Sequence, residues 1–223
     1  LLMVFLRIQE PDKRNNDFVK IIKIVANKFA RFYIFVIRGT PMMVQSLIFY
    51  YAIFNLFKRT GMSVTEINRV WSLFISGLVT VSLNSTAYLA EVLRGGILAV
   101  DAGQMEAARS LGMTHWQAMR RVVFPQAIKN SLPAIGNEFI INIKDSSVLC
   151  VLGVSDLMFM TRSVAGIYYK GTECYLIAAT VYLFLTYLSS LLLKAITGRM
   201  TAPDNTKRRQ GNQTVDLGLP SSN

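Results

Sequence analysis

Residues 106–125 read EAARSLGMTHWQAMRRVVFP, a charged, turn-forming insert between apolar runs. Residues 104–110 are helix-competent, Gly112 permits a tight reversal, Thr114 stands where an N-cap is wanted for a second helix running to about 123, and Pro125 starts the next element. The spacing predicts a helix–turn–helix lying outside the apolar layer. On its first helix Glu106, Arg109 and Ser110 fall on one side by i,i+3 and i,i+4 spacing, so the unit presents polar groups to something beyond a membrane. The same spacing is compatible with an amphipathic loop at the headgroups, its Arg120 and Arg121 on anionic lipid.

Around this insert the chain is strongly apolar. Of 223 residues 52% are hydrophobic and 17% charged, which selects an all-α integral membrane protein over a soluble domain. The clearest span is 174–193, twenty residues without a charge, closed by Lys194 and Arg199; about twenty apolar residues cross a hydrocarbon core. Residues 42–57 are shorter and end in Lys58 and Arg59. Residues 71–93 are long enough but carry Ser76, Thr80, Asn84 and Glu91. Residues 126–154 hold Asn130, Pro133, Asn137, Glu138, Asn142, Lys144 and Asp145, so this segment cannot face lipid all round and is expected to be irregular toward its end. The apolar opening LLMVFLRIQE is expected to be the remainder of a truncated first span, giving about five. Residues 1–199 then form the membrane domain, with the insert at about 100–125, and the polar 200–223 form a disordered tail.

The formal charge of +11 does not point to nucleic acid, because no basic stripe interleaved with aromatics is present. The cations gather between spans instead. Eight Lys and Arg lie between Arg7 and Arg38, against three at 58–69. Placing the first connection in the cytoplasm puts the insert and the tail there too. Cys150, Cys174 and the single His115 cannot build a disulfide framework or a four-ligand metal site. The cysteines are expected to be packing residues, and no cofactor is expected in this chain. There is no G-x-x-x-x-G-K-[ST] phosphate loop.

The spacing E-A-A-x3-G, then nine residues and an aliphatic-x-apolar-Pro ending, resembles the signature of permease subunits in binding-protein-dependent ATP-binding-cassette importers. Here it comprises Glu106, Ala107, Ala108, Gly112, Val122, Phe124 and Pro125, with Val122 and Phe124 replacing the usual Ile and Leu. RGTPMMVQ at 38–45, NSTAYLAEVLRGGI at 84–97, GQMEAARSLG at 103–112, FPQAIKNSLPAIGNEF at 124–139 and KDSSVL at 144–149 are similar to the polar amino-acid (glutamine/histidine-type) permeases. The resemblance implies a type I importer permease fold in a bacterial inner membrane. It also implies two nucleotide-binding subunits that hold ATP and Mg and perform the hydrolysis, a second permease subunit, an external solute-binding protein and an amino-acid substrate. Glu106, Ala107, Ala108, Gly112 and Pro125 would form the coupling helix and its elbow.

A substrate pathway is expected along the helical stripe Thr80, Asn84, Tyr88 and Glu91, and along Asn137, Glu138, Lys144 and Asp145. Glu91, Glu138 or Asp145 could receive an ammonium group, and Lys144 or free backbone amides a carboxylate. The same groups could instead satisfy one another across helices. A self-sufficient gradient-driven transporter or channel-like bundle is the alternative, and the missing internal repeat and the small number of spans count against it.

Overall fold

The computed structural model describes residues 17–200. Its described residues are helical, without strands: α1 (Asp17–Gly39), α2 (Met42–Arg59), α3 (Val64–Val70), α4 (Leu73–Leu98), α5 (Ala102–Ser110), α6 (His115–Ala118), a π-helical turn (Met119–Val123), α7 (Phe124–Asp145), a 3-10 turn (Ser146–Leu152), α8 (Leu157–Tyr168) and α9 (Gly171–Met200). The expected opening span and the tail beyond 200 lie outside the described residues.

Helix α1 occupies much of the stretch that its eight cations suggest is a connection. It is a helix because its residues sort onto three faces. Ala30, Ile34 and Ile37 recur at i, i+4 and i+7 and are buried, while Phe29, Phe32 and Phe35 stay exposed on another side. Arg31 and Arg38, both exposed, fall between them. The helix ends at Gly39, and Pro41, in extended conformation at φ −63° and ψ 136°, opens α2. The two helices meet at 112°.

The 58–69 connection contains α3, which closes on itself through a capping box: Ser63 Oγ accepts from the Glu66 amide while the Glu66 side chain accepts from the Ser63 amide. Trp71 follows α3 rather than starting the next span, and α4 begins at Leu73 under a Ser72 cap. Helix α4 is central to the bundle, packing against α1, α2 and α7. Where it crosses α7 the backbones come close: a Cβ at Gly96 would collide with the Ser131 hydroxyl and lie 2.6 Å from the Ala127 carbonyl oxygen. Small residues at helix crossings are how membrane bundles gain contact when lipid tails are as apolar as side chains.

Helices α4 and α9 are each long and apolar enough to cross a membrane. Taking each bent pair, α1 with α2 and 115–152 with α8, as one span brings the number to four among the described residues. Helices α4 and α9 match the segments expected at 71–93 and 174–193, whereas those expected at 42–57 and 126–154 count as spans only with α1 and α8 joined to them across the bends. The irregularity expected after 126 is the 3-10 turn, which ends at Gly153 with φ +91° and reorients the chain by 52° into α8. One apolar core joins α1 (Ile34, Ile37), α4 (Ala87, Ala90, Ile97), the π turn (Met119, Val123) and Ala127 of α7. It therefore sits directly behind the 102–118 insert.

Candidate functional site

The insert is a helix–turn–helix with both ends locked by local hydrogen bonds. Asp101 caps α5, its Oδ1 accepting from the Gly103 amide at 2.7 Å. The helix stops in a Schellman arrangement: the Gly112 amide donates to the Arg109 carbonyl at 2.9 Å and the Met113 amide to the Ala108 carbonyl at 3.2 Å. Gly112 has φ +82°, the left-handed region that a Cβ disfavours. Thr114 then starts α6 with a second capping box, reciprocated by Gln117 at 2.9 Å and 3.3 Å. The turn is therefore set by backbone geometry and polar caps.

What the insert turns outward differs by residue. Glu106 and Ala107 are exposed, whereas Ala108 is buried. Leu111 is 80% exposed and Trp116 51%, large apolar groups at the tip of the turn. Arg109 and Ser110 are exposed like Glu106, and the Ser110 hydroxyl donates to the Glu106 backbone carbonyl at 3.0 Å.

The expected second helix is not a separate element. Helix α6 passes through the π turn into α7 without a break, and the reason is Pro125. Proline has no amide hydrogen to offer the helical ladder, and the preceding Phe124 amide bonds five residues back, to the Met119 carbonyl. That widened turn admits the proline inside a continuing helix. Gln126 Nε2 also donates to the Val122 carbonyl at 3.0 Å and lies 3.3 Å from the Gln104 side-chain oxygen on α5. The insert is thus joined to α7 through helix and side chain together.

The polar stripe of α4 divides into two parts. Ser76, Thr80 and Asn84 are buried against neighbouring helices. The Thr80 hydroxyl donates to the Ser76 carbonyl of its own helix at 2.9 Å, and Asn84 Nδ2 donates to Gln45 Oε1 at 3.3 Å. Tyr88 and Glu91, by contrast, line a cavity of about 430 Å³ with Arg31 and Arg38 of α1. On α7, Asn137, Lys144 and Asp145 are exposed and Glu138 is half-buried. Nearby, the Ser85 hydroxyl of α4 donates to Asn142 Oδ1 at 3.1 Å.

Gln45 is the residue that sequence reasoning passed over. Only 5% exposed, it sits beside the elbow between α1 and α2. Its Nε2 donates to the Ile37 carbonyl at 2.7 Å, the Thr40 carbonyl at 2.9 Å and the Thr40 hydroxyl at 2.7 Å, sharing two hydrogens among three acceptors. The elbow's carbonyls have lost their helical donors, and this amide replaces them. A glutamine near the start of the apolar run 42–57 was the available signal, since an unsatisfied amide there is costly.

Residues 22–202 match the family model of the binding-protein-dependent transport system inner membrane component. The chain is 34% identical over 176 residues to the glutamine transport system permease protein GlnP of Escherichia coli (strain K12), covering 79% of this chain and 76% of that protein. It is 37% identical over 182 residues to the probable amino-acid permease protein YxeN of Bacillus subtilis (strain 168), covering 82% and 78%. Its fold superimposes with a TM-score of 0.70 and 41% identity on the crystal structure of an amino acid ABC transporter with histidines, over 89% of this chain and 82% of that one. With a family match over most of its length and a locked, solvent-facing insert at the position of the signature, the chain belongs to the binding-protein-dependent transport system inner membrane components: it is a membrane-spanning permease subunit.

Proposed function

We propose that this chain is the permease of an ATP-driven bacterial amino-acid importer, in which the 102–118 insert couples a separate ATPase to the membrane helices. The observation that carries this reading is the construction of the insert. A rigid turn carrying Glu106, Leu111 and Trp116 at its surface continues through one helix into α7, which in turn packs on α4. A push on the turn is delivered to the bundle as a lever movement rather than dissipated in a soft loop. Exposed apolar groups beside a carboxylate suit a groove on a protein partner. Glu106 offers the carboxylate, Ala107 the close approach, Ala108 and Gly112 the turn, and Pro125 the entry to α7.

Two ATPase subunits holding ATP and Mg would dock at this face, with a second permease subunit alongside and a solute-binding protein on the opposite side of a bacterial inner membrane. An amino acid as cargo is supported by the names of the glutamine and amino-acid permeases to which the chain is similar. Among the expected pathway residues, Tyr88, Glu91, Asn137, Glu138, Lys144 and Asp145 keep some exposure. Thr80 and Asn84 contribute by holding α4 in place.

The test is uptake of labelled amino acid and ATP hydrolysis, measured together in vesicles containing the full-length permease, its ATPase and its binding protein. Gly112→Val and Glu106→Ala are expected to lower uptake at least tenfold with the permease still folded in the membrane, while Gly112→Asn, which tolerates the left-handed region, keeps most of it. Uptake that persists without the ATPase, or that ignores these changes, refutes the reading.

A further inference from the structure

The seam between α1 and α4 carries a cavity that the coupling unit does not use. It is lined by Arg31, Ile34, Phe35, Arg38, Tyr88 and Glu91, with Gly39 at its end, and encloses about 430 Å³, within the range of about 300–1,000 Å³ usual for ligand pockets. The Arg38 guanidinium lies over the Tyr88 ring, 5.1 Å from its centroid, a contact that fixes the side chain without neutralising it. Arg31 Nε donates to the neutral Asn27 side chain at 3.2 Å. The carboxylate in the cavity, Glu91, is held by Arg94 Nε at 2.9 Å. With Arg94 just outside the lining and Glu138 of α7 near enough to interact with the Arg38 charge, three guanidiniums face two carboxylates and leave the site one charge positive.

Position and surroundings narrow the ligand. The cavity lies at the elbow where α1 turns into α2. Along the same helix, beside the arginines, Phe29, Phe32 and Phe35 are 65%, 66% and 76% exposed. A free anion needs only the guanidiniums, whereas a ligand that uses both the cations and the adjoining aromatic surface is an amphiphile with an anionic head. Basic pockets between membrane helices are suited to such headgroups. We propose that this seam is a binding site for an anionic phospholipid, the phosphodiester between Arg31 and Arg38 and the acyl chains along the exposed aromatic face of α1.

The test is lipid retention by the full-length chain, taken from nanodiscs of phosphatidylcholine doped with phosphatidylglycerol and read by native mass spectrometry. The parent is expected to retain phosphatidylglycerol preferentially. Arg31→Gln and Arg38→Gln each reduce that preference about fivefold, equivalent to about 1 kcal/mol, while Arg38→Lys preserves most of it. Lys58→Gln with Arg59→Gln, at the far end of α2, leaves it unchanged. Equal retention of both lipids by the parent, or an undiminished preference in both the Arg31→Gln and the Arg38→Gln variant, overturns the proposal. Displacement of the lipid by millimolar inorganic phosphate assigns the cavity to a free anion, and displacement by an amino acid assigns it to the transport path; either result also overturns it. Should the glutamine variants fail to fold, Phe35→Trp with both arginines intact decides the matter. Its fluorescence should be quenched more strongly by brominated phosphatidylglycerol than by brominated phosphatidylcholine, and equal quenching refutes the site.

Discussion

Gly112 and Glu66 show how much of this molecule is settled by single backbone groups. At φ +82° Gly112 has nothing within 4 Å of a built Cβ, so its replacement fails on conformation alone. A left-handed residue bearing a Cβ costs about 1–2 kcal/mol, and a β-branched one is worse placed than asparagine, hence the different uptake expected for the Val and Asn variants. Glu66, outside the spans, has its carboxyl held below the usual range by hydrogen bonds from the Ser63 hydroxyl first and the Ser63 amide second. Because the folded value is depressed, the contribution to stability is complete above the ordinary carboxylate value and disappears as pH falls through the folded one. Ser63→Ala removes the larger cause, so the Glu66 carboxyl should titrate at higher pH in an NMR titration; an unmoved midpoint would show that the amide alone suffices.

At the scale of elements, adjacent glycines separate what sequence can and cannot disclose. Gly95 and Gly96 are indistinguishable in the string RGGI, yet a Cβ at Gly95 meets nothing within 4 Å while one at Gly96 runs into α7 backbone. Gly95→Ala should leave thermal unfolding unchanged or raise stability by about 0.5–1 kcal/mol. Gly96→Val should lower it by about 1–3 kcal/mol or prevent folding, and equal midpoints would mean that the α4–α7 crossing is looser than described. The spans and the turn at Gly112 were legible because both rest on local chemistry: twenty uncharged residues, a left-handed glycine, a cap. Helix α1 was not, because three narrow faces carrying cations at Lys23, Lys28, Arg31 and Arg38 imitate a solvated connection. The π turn escaped for a related reason: Pro125 reads as a helix start, and only the i−5 bond of Phe124 lets it be an interior residue. Of the expected pathway stripe, helical spacing puts Thr80, Asn84, Tyr88 and Glu91 along one helix, but which of them meet a neighbouring helix and which line a cavity depends on packing that no single helix encodes.

For the whole molecule, sidedness is the property from which coupling follows. Cys150 is buried and Cys174 stands partly exposed at the start of α9, so a membrane-impermeant maleimide should label Cys174 in intact cells, and Ser110→Cys only in inverted vesicles. The opposite pattern would turn the insert away from ATP and end the coupling proposal. Helix α9 leaves Leu176, Ile177, Leu183, Phe184, Tyr187 and Leu192 exposed over much of its circumference. The buried amide of Gln45 bears on the chain's biogenesis. Helix α2 emerges from the ribosome before α4, yet Gln45 completes its hydrogen bonds only when Asn84 arrives 39 residues later. An amide with an open acceptor is poorly retained in hydrocarbon by itself, so α2 should linger at the insertion machinery until α4 follows, and the two enter the bilayer as a pair.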